Sequence, residues 1–184
     1  MVISPFLVSG FSLVAGLIGL ILVLIAVKRL SDHYKEASIF NNSLYGVILS
    51  IVGGVVFVAA LFVTALSFFT NVLGIELSTA FSDPTAFSNI DWAEAIVFDN
   101  LLAHVGALVG SLIMLFIFIV VAAIFYRKSL TTLAEKTGVG LFGTAGLLLL
   151  IGAVLTIIAI GFLLIWIAEI LLIVAFFRIR AEPT

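Results

Sequence analysis

The chain has 184 residues, 64% of them hydrophobic and 10% charged, with a mean hydropathy of +1.44 and a formal net charge of −2. Soluble domains use roughly 45–50% apolar residues, so a water-soluble fold is excluded and little chain is left for a separate soluble domain. The absence of cysteine removes disulfides, thiolate metal sites and cysteine nucleophiles together.

Phe6 to Val27 is continuously apolar or small, and Lys28-Arg29 closes the run with charges that cost roughly 2.5–3.5 kcal/mol each at mid-bilayer. This predicts a first span over 6–27. Met1 to Phe6 lacks the basic start of a secretory signal, so the run is expected to persist as a mature helix. Residues 28–43 carry mixed charge and predict a short helix ending near Asn41-Asn42. Leu44 to Thr70 predicts a second span over 44–70, with Tyr45 at its interface.

Residues 71–100 change character: Glu76, Asp83, Asp91, Glu94 and Asp99 are acidic, and no Lys or Arg accompanies them. Pro84 marks a turn. Ser88 with Asp91 resembles a capping box, and Trp92, Ile96 and Val97 predict a short surface helix leading into a third span over 101–125. Arg127-Lys128 ends that span, and Leu130, Leu133 and Ala134 predict one more interfacial turn.

Leu141 to Phe177 holds a single ionisable side chain, Glu169. As one helix, at ~1.5 Å per residue, it would reach roughly 55 Å, against a hydrocarbon core ~30 Å thick. Two spans over 141–159 and 161–177, reversing near Ile160-Gly161, fit instead.

The fold class expected is therefore an all-α bundle of five transmembrane helices in one membrane domain, with short interfacial helices. Five spans place Lys28, Arg29, Lys35, Arg127, Lys128, Lys136, Arg178 and Arg180 on one side and the acidic loop on the other. By the positive-inside rule the N-terminus is outside and the C-terminus is cytoplasmic. A four-span reading would send Arg178 and Arg180 across. Basic pairs ending the first and third spans, and matches at an offset of one hundred residues such as Gly10 with Gly110 and Lys28 with Lys128, suggest a duplicated two-helix unit.

Helices in lipid associate through close packing at small residues. Gly16 and Gly19 on the first span, Gly46 and Gly54 on the second, Gly106 and Gly110 on the third, and Gly146 and Gly152 on the fourth recur at helical spacing. They suit packing within the chain, self-association, or docking into a larger complex. Glu169, about halfway along its span, is the candidate intramembrane polar site, because an ionisable group there needs a partner or a pathway. Either it is bonded to a neighbouring helix, through Thr156, Thr144 or Ser50, or it handles a proton or cation. His104 on the third span is the candidate second member, with an interfacial histidine bonded to a backbone carbonyl as the plainer reading.

The acidic loop lacks the spacing of a calcium loop and reads as a solvated face. His33 and His104 fall toward opposite sides, against a shared metal or haem site, and no phosphate loop, nucleophile elbow or zinc motif occurs. No cofactor, metal, nucleic acid or catalytic residue is expected, and the protein is read as not an enzyme. The eight basic side chains of the inner face favour anionic headgroups at about 1 kcal/mol each.

Ala122–Leu130, Leu133–Val139, Thr144–Ala153 and Gly161–Ala168 together resemble a family of small uncharacterised archaeal membrane proteins, classed as a domain of unknown function. The resemblance implies an archaeal cell membrane and no known activity, and it carries over no site residue. The expected role is a structural or accessory subunit that meets membrane lipid and other membrane subunits or copies of itself. The alternative is an oligomeric proton or cation channel or transporter using Glu169.

Overall fold

Proline stands only at positions 5, 84 and 183, so none interrupts a long apolar run, and in such runs the backbone polar groups must pair within the segment. Helices are the outcome. The computed structural model describes residues 5–83, 85 and 98–179, and every element in them is helical. In chain order these are α1 (Pro5–His33), α2 (Ala37–Ser67), a π-helical turn (Phe68–Val72), α3 (Leu77–Ser82), α4 (Phe98–Thr137), α5 (Leu141–Leu155), a 3₁₀ turn (Thr156–Ile158) and α6 (Ile160–Arg178). Five stretches are long and apolar enough to cross a membrane: Val14–His33, Ala37–Val72, Leu102–Thr137, Leu141–Ile158 and Ile160–Arg178. The surface helix expected around Trp92 lies outside the described residues.

The connecting helices differ from expectation. No separate helix ends at Asn41-Asn42; both asparagines lie in the first turns of α2, and the break falls at Tyr34–Glu36. Lys35 takes a left-handed backbone at φ 52, and the Ser31 hydroxyl donates to the Glu36 carbonyl at 2.9 Å, closing the turn. Likewise Leu130, Leu133 and Ala134 belong to the unbroken α4, because nothing between Arg127 and Thr137 terminates a helix before Gly138 at φ 69. The polar connections are continuations of the spans.

The chain forms two compact units, Met1–Leu49 with Val120–Thr184, and Ser50–Ile119. The core of the first is Val27, Ile39, Leu130, Leu133, Phe142 and Ala175, and the rings of Phe142 and Phe176 meet edge to face at 5.1 Å. A polar lock sits beside it. Ser129 donates to the Ile39 carbonyl at 2.6 Å, which leaves the Ser43 hydroxyl to donate to Ser129 at 2.8 Å. One helical turn on, Gly46 faces Tyr126, whose ring edge would lie 2.9 Å from an added methyl group.

The α5–α6 hairpin reverses just before Ile160-Gly161, and glycine does not make the turn. Its turn is Thr156–Ala159, and Ala159, not a glycine, takes the left-handed backbone at φ 62. Gly161 is buried in the first turn of α6, where a side chain would collide with the backbone of Gly152, Leu155 and Thr156. Gly161, Ala168 and Ala175 are the buried residues of α6, and Ala145 with Gly152, and Gly146 with Ala153, are buried on α5. All repeat at seven residues. Two small-residue seams at that spacing let the backbones approach along the whole hairpin.

Candidate functional site

Glu169 is the tenth of nineteen residues in α6, placed one residue beyond the buried Ala168. A helix turns about 100° per residue, so a seam through Gly161, Ala168 and Ala175 directs Glu169 away from α5. Its side chain is exposed, beside Trp166 at 70% and Ile173 at 57% exposure. No hydrogen bond or ion pair joins it to another described residue. The threonines expected to meet it turn instead to their own helices, Thr156 to the Ala153 carbonyl at 2.7 Å and Thr144 to the Gly140 carbonyl at 3.4 Å. Ser50 belongs to the other unit.

His104 belongs to that other unit as well, so the two candidates are held by separate sets of neighbours. Its Nε2 lies 3.2 Å from Ser67 Oγ, its ring meets Phe68 edge to face at 5.7 Å, and Ser67 also accepts from Asn71 Nδ2 at 2.9 Å. Ser67 therefore stands at the centre of a polar cluster where α2 widens into the π-helical turn, a distortion often found at functional positions. The sequence signal was the Ser67–Asn71 pair at i, i+4, which the run of flanking phenylalanines hides. Chemically the cluster can hold the histidine ring in one orientation.

The glycines divide into two sets. Methyl groups added at Gly46, Gly146 or Gly152 would meet Tyr126, Leu130 with Arg127, or Ile165 with Gly161, whereas at Gly16, Gly19, Gly54, Gly106 and Gly110 they would meet nothing within 4 Å. Gly53, missed in the sequence, and Gly161, read there as a turn residue, are close-approach positions; Gly53 faces Phe118. The seven-residue repeat of Gly161, Ala168 and Ala175 is the pattern that would have revealed the second of them.

Two carboxylates in the connections are held below their ordinary range. Ser38 donates to Glu36 at 2.8 Å and Lys136 stands 3.4 Å away, and together they lower the Glu36 pKa from 4.5. Asp83 accepts from the Thr85 hydroxyl at 2.6 Å and the Thr85 amide at 2.8 Å, and is lowered from 3.8. Among the described residues no three His, Cys, Asp or Glu side chains come together as metal ligands would.

Residues 15–170 match the model of a family described as a protein of unknown function, DUF996. An uncharacterized protein of the archaeon Methanocaldococcus jannaschii is 30% identical over 166 residues, covering 90% of this chain and 80% of that protein. No solved structure matches the chain.

Proposed function

We propose that this chain, which belongs to the DUF996 family of unknown function, is a non-catalytic, multi-pass subunit of the cell membrane that packs laterally into a larger assembly. The Lys and Arg distribution supports an N-terminus outside and a C-terminus in the cytoplasm. The observation that carries the reading is Glu169, exposed midway along an apolar helix with no bonded partner among the described residues. A charged side chain facing lipid at that depth costs roughly 2.5–3.5 kcal/mol or more. A neighbouring subunit supplying a donor to α6 removes that cost, and the open glycines on α1, α2 and α4 offer further close-packing faces.

The test is the mass and composition of the protein extracted from its native membrane in a mild detergent. The expected particle is heavier than the 19.6 kDa chain and contains other subunits; Glu169→Leu releases the chain and Glu169→Gln, which keeps hydrogen bonding, retains it. A wild-type monomer would sink the proposal. Because Glu169 is on the outer face of its own hairpin, a second reading places it between copies of the chain, in a proton or cation path. A symmetric oligomer whose ion flux is lost in Glu169→Gln with assembly intact selects that reading instead.

A further inference from the structure

Ile124, Arg127, Lys128 and Thr131 follow one another at i, i+3, i+4 and i+7 and so share a face of α4. With Asn42 of α2 and Leu150 of α5 they line a groove of about 540 Å³ within the first compact unit. Leu102 to Tyr126 contains no Asp, Glu, Lys or Arg, so the groove begins where α4 leaves hydrocarbon. Its wall is graded, with Ile124 and Leu150 on the apolar side and the cations, the amide and the hydroxyl on the other.

The polar wall is made of donors. Neither Arg127 nor Lys128 has an acidic partner among the described residues, and the side chains of Asn42 and Thr131 make no hydrogen bond there. Of the other basic side chains of this unit, Lys28 holds Asp32 at 2.8 Å and Lys136 holds Glu36 at 3.4 Å. Glu36 is the carboxylate bonded to a residue of the groove, through Ser38, and its charge is already met by Lys136. The first turns of α2 border the groove, so the positive end of that helix adds to the cationic field.

We infer that this groove is a binding site for the phosphate of an anionic phospholipid headgroup. Arg127 and Lys128 neutralise the phosphate, Asn42 and Thr131 donate to its oxygens, and the hydrocarbon chains descend past Ile124 and Leu150. Guanidinium geometry suits phosphate oxygens, and a basic pocket between helices at a membrane surface is the usual form of such a site. The inference requires α4 to cross the bilayer and does not require the assembly proposed above.

Native mass spectrometry of the whole protein in mild detergent tests both separately, since particle mass reports assembly and bound mass reports lipid. The probes are dioctanoyl phosphatidylglycerol, dioctanoyl phosphatidylcholine and inorganic phosphate. Wild type is expected to retain one phosphatidylglycerol at least tenfold more tightly than phosphatidylcholine, and millimolar phosphate should not displace it. The double change Arg127→Gln with Lys128→Gln should weaken retention about tenfold or more, while Lys28→Gln with Arg29→Gln, equal in charge lost, should change it less than twofold. Thr131→Val and Asn42→Leu, which leave net charge intact, should each weaken retention severalfold even where the charge variants fail to fold. Equal retention of the two lipids, equal loss in both double variants, or no loss in either neutral variant overturns the inference. Displacement by phosphate overturns the lipid assignment in favour of a soluble phosphate compound.

Discussion

Ser129 and Glu169 are both polar side chains set in long apolar helices, and the fold treats them in opposite ways. Ser129 is 1% exposed, donates to one helix carbonyl and accepts from a second serine. Glu169 is turned outward with no bonded partner among the described residues. The difference lies in what each group demands. A hydroxyl needs one acceptor, and a helix carbonyl already bonded along its own ladder has a second lone pair to offer. A carboxylate needs donors or cations, which apolar helices in contact through glycine and alanine do not supply. The Ser43 and Ser129 hydroxyls are therefore satisfied inside the chain, and the acid is left to whatever meets α6.

That contrast can be attacked first at the seam which turns Glu169 outward. Gly161→Ala puts a methyl group into the backbone of α5, whereas Gly143→Ala meets only Ala134 at 3.7 Å. The first should lower stability by about 3 kcal/mol and the second should leave it unchanged or raised; equal thermal midpoints in detergent would refute a close-packed hairpin. The serine lock comes next. Ser129→Ala should cost about 1 kcal/mol, and adding Ser43→Ala should cost less than the sum, because the two share one bond. Strict additivity would mean that the serines do not act together.

Smaller effects separate glycines that touch something from those that do not. Gly54→Ala gains helix propensity of up to about 1 kcal/mol and should raise the midpoint, whereas the same change at Gly46 presses on Tyr126 and should not. The smallest effect is one of pH. Glu36 is lowered from 4.5, so its contribution is complete above that value and is lost as pH falls through the depressed folded value. The Glu36 side chain is 33% exposed, so the loss is slight. Unfolding midpoints followed downward from pH 5 should therefore show a weak acid limb that Glu36→Gln abolishes.

The five apolar helices and their basic ends were legible because hydrocarbon thickness and charge cost act on composition, which the sequence displays directly. The membership of a family without assigned activity was legible in the segments from Ala122 to Ala168. The breaks between helices were not. Asn41-Asn42 looks like a helix end by propensity, but the carbonyl of Glu36 is captured by Ser31, and the helix starts before the asparagines. Gly161 looks like a turn residue, yet it is required for contact, and an alanine makes the turn. In the first case a hydrogen bond within the turn, and in the second a packing contact across the hairpin, overrides the residue preference. The same holds for Ser67, whose place beside His104 depends on a pairing across thirty-seven residues that no local pattern encodes.

The seven-residue repeat of α6 is also a reading frame. Inserting or deleting one residue between Gly161 and Ala168 would rotate everything beyond it by about 100°, bringing Ile or Glu to the line where only glycine and alanine fit. Inserting seven would restore the phase. The length of this helix is thus free to change only in steps of a heptad, and the compass direction of Glu169 is written into the backbone and cannot be altered by a rotamer. A carboxyl group fixed outward in this manner is a permanent feature of the protein's exterior, offered in every copy to the same side.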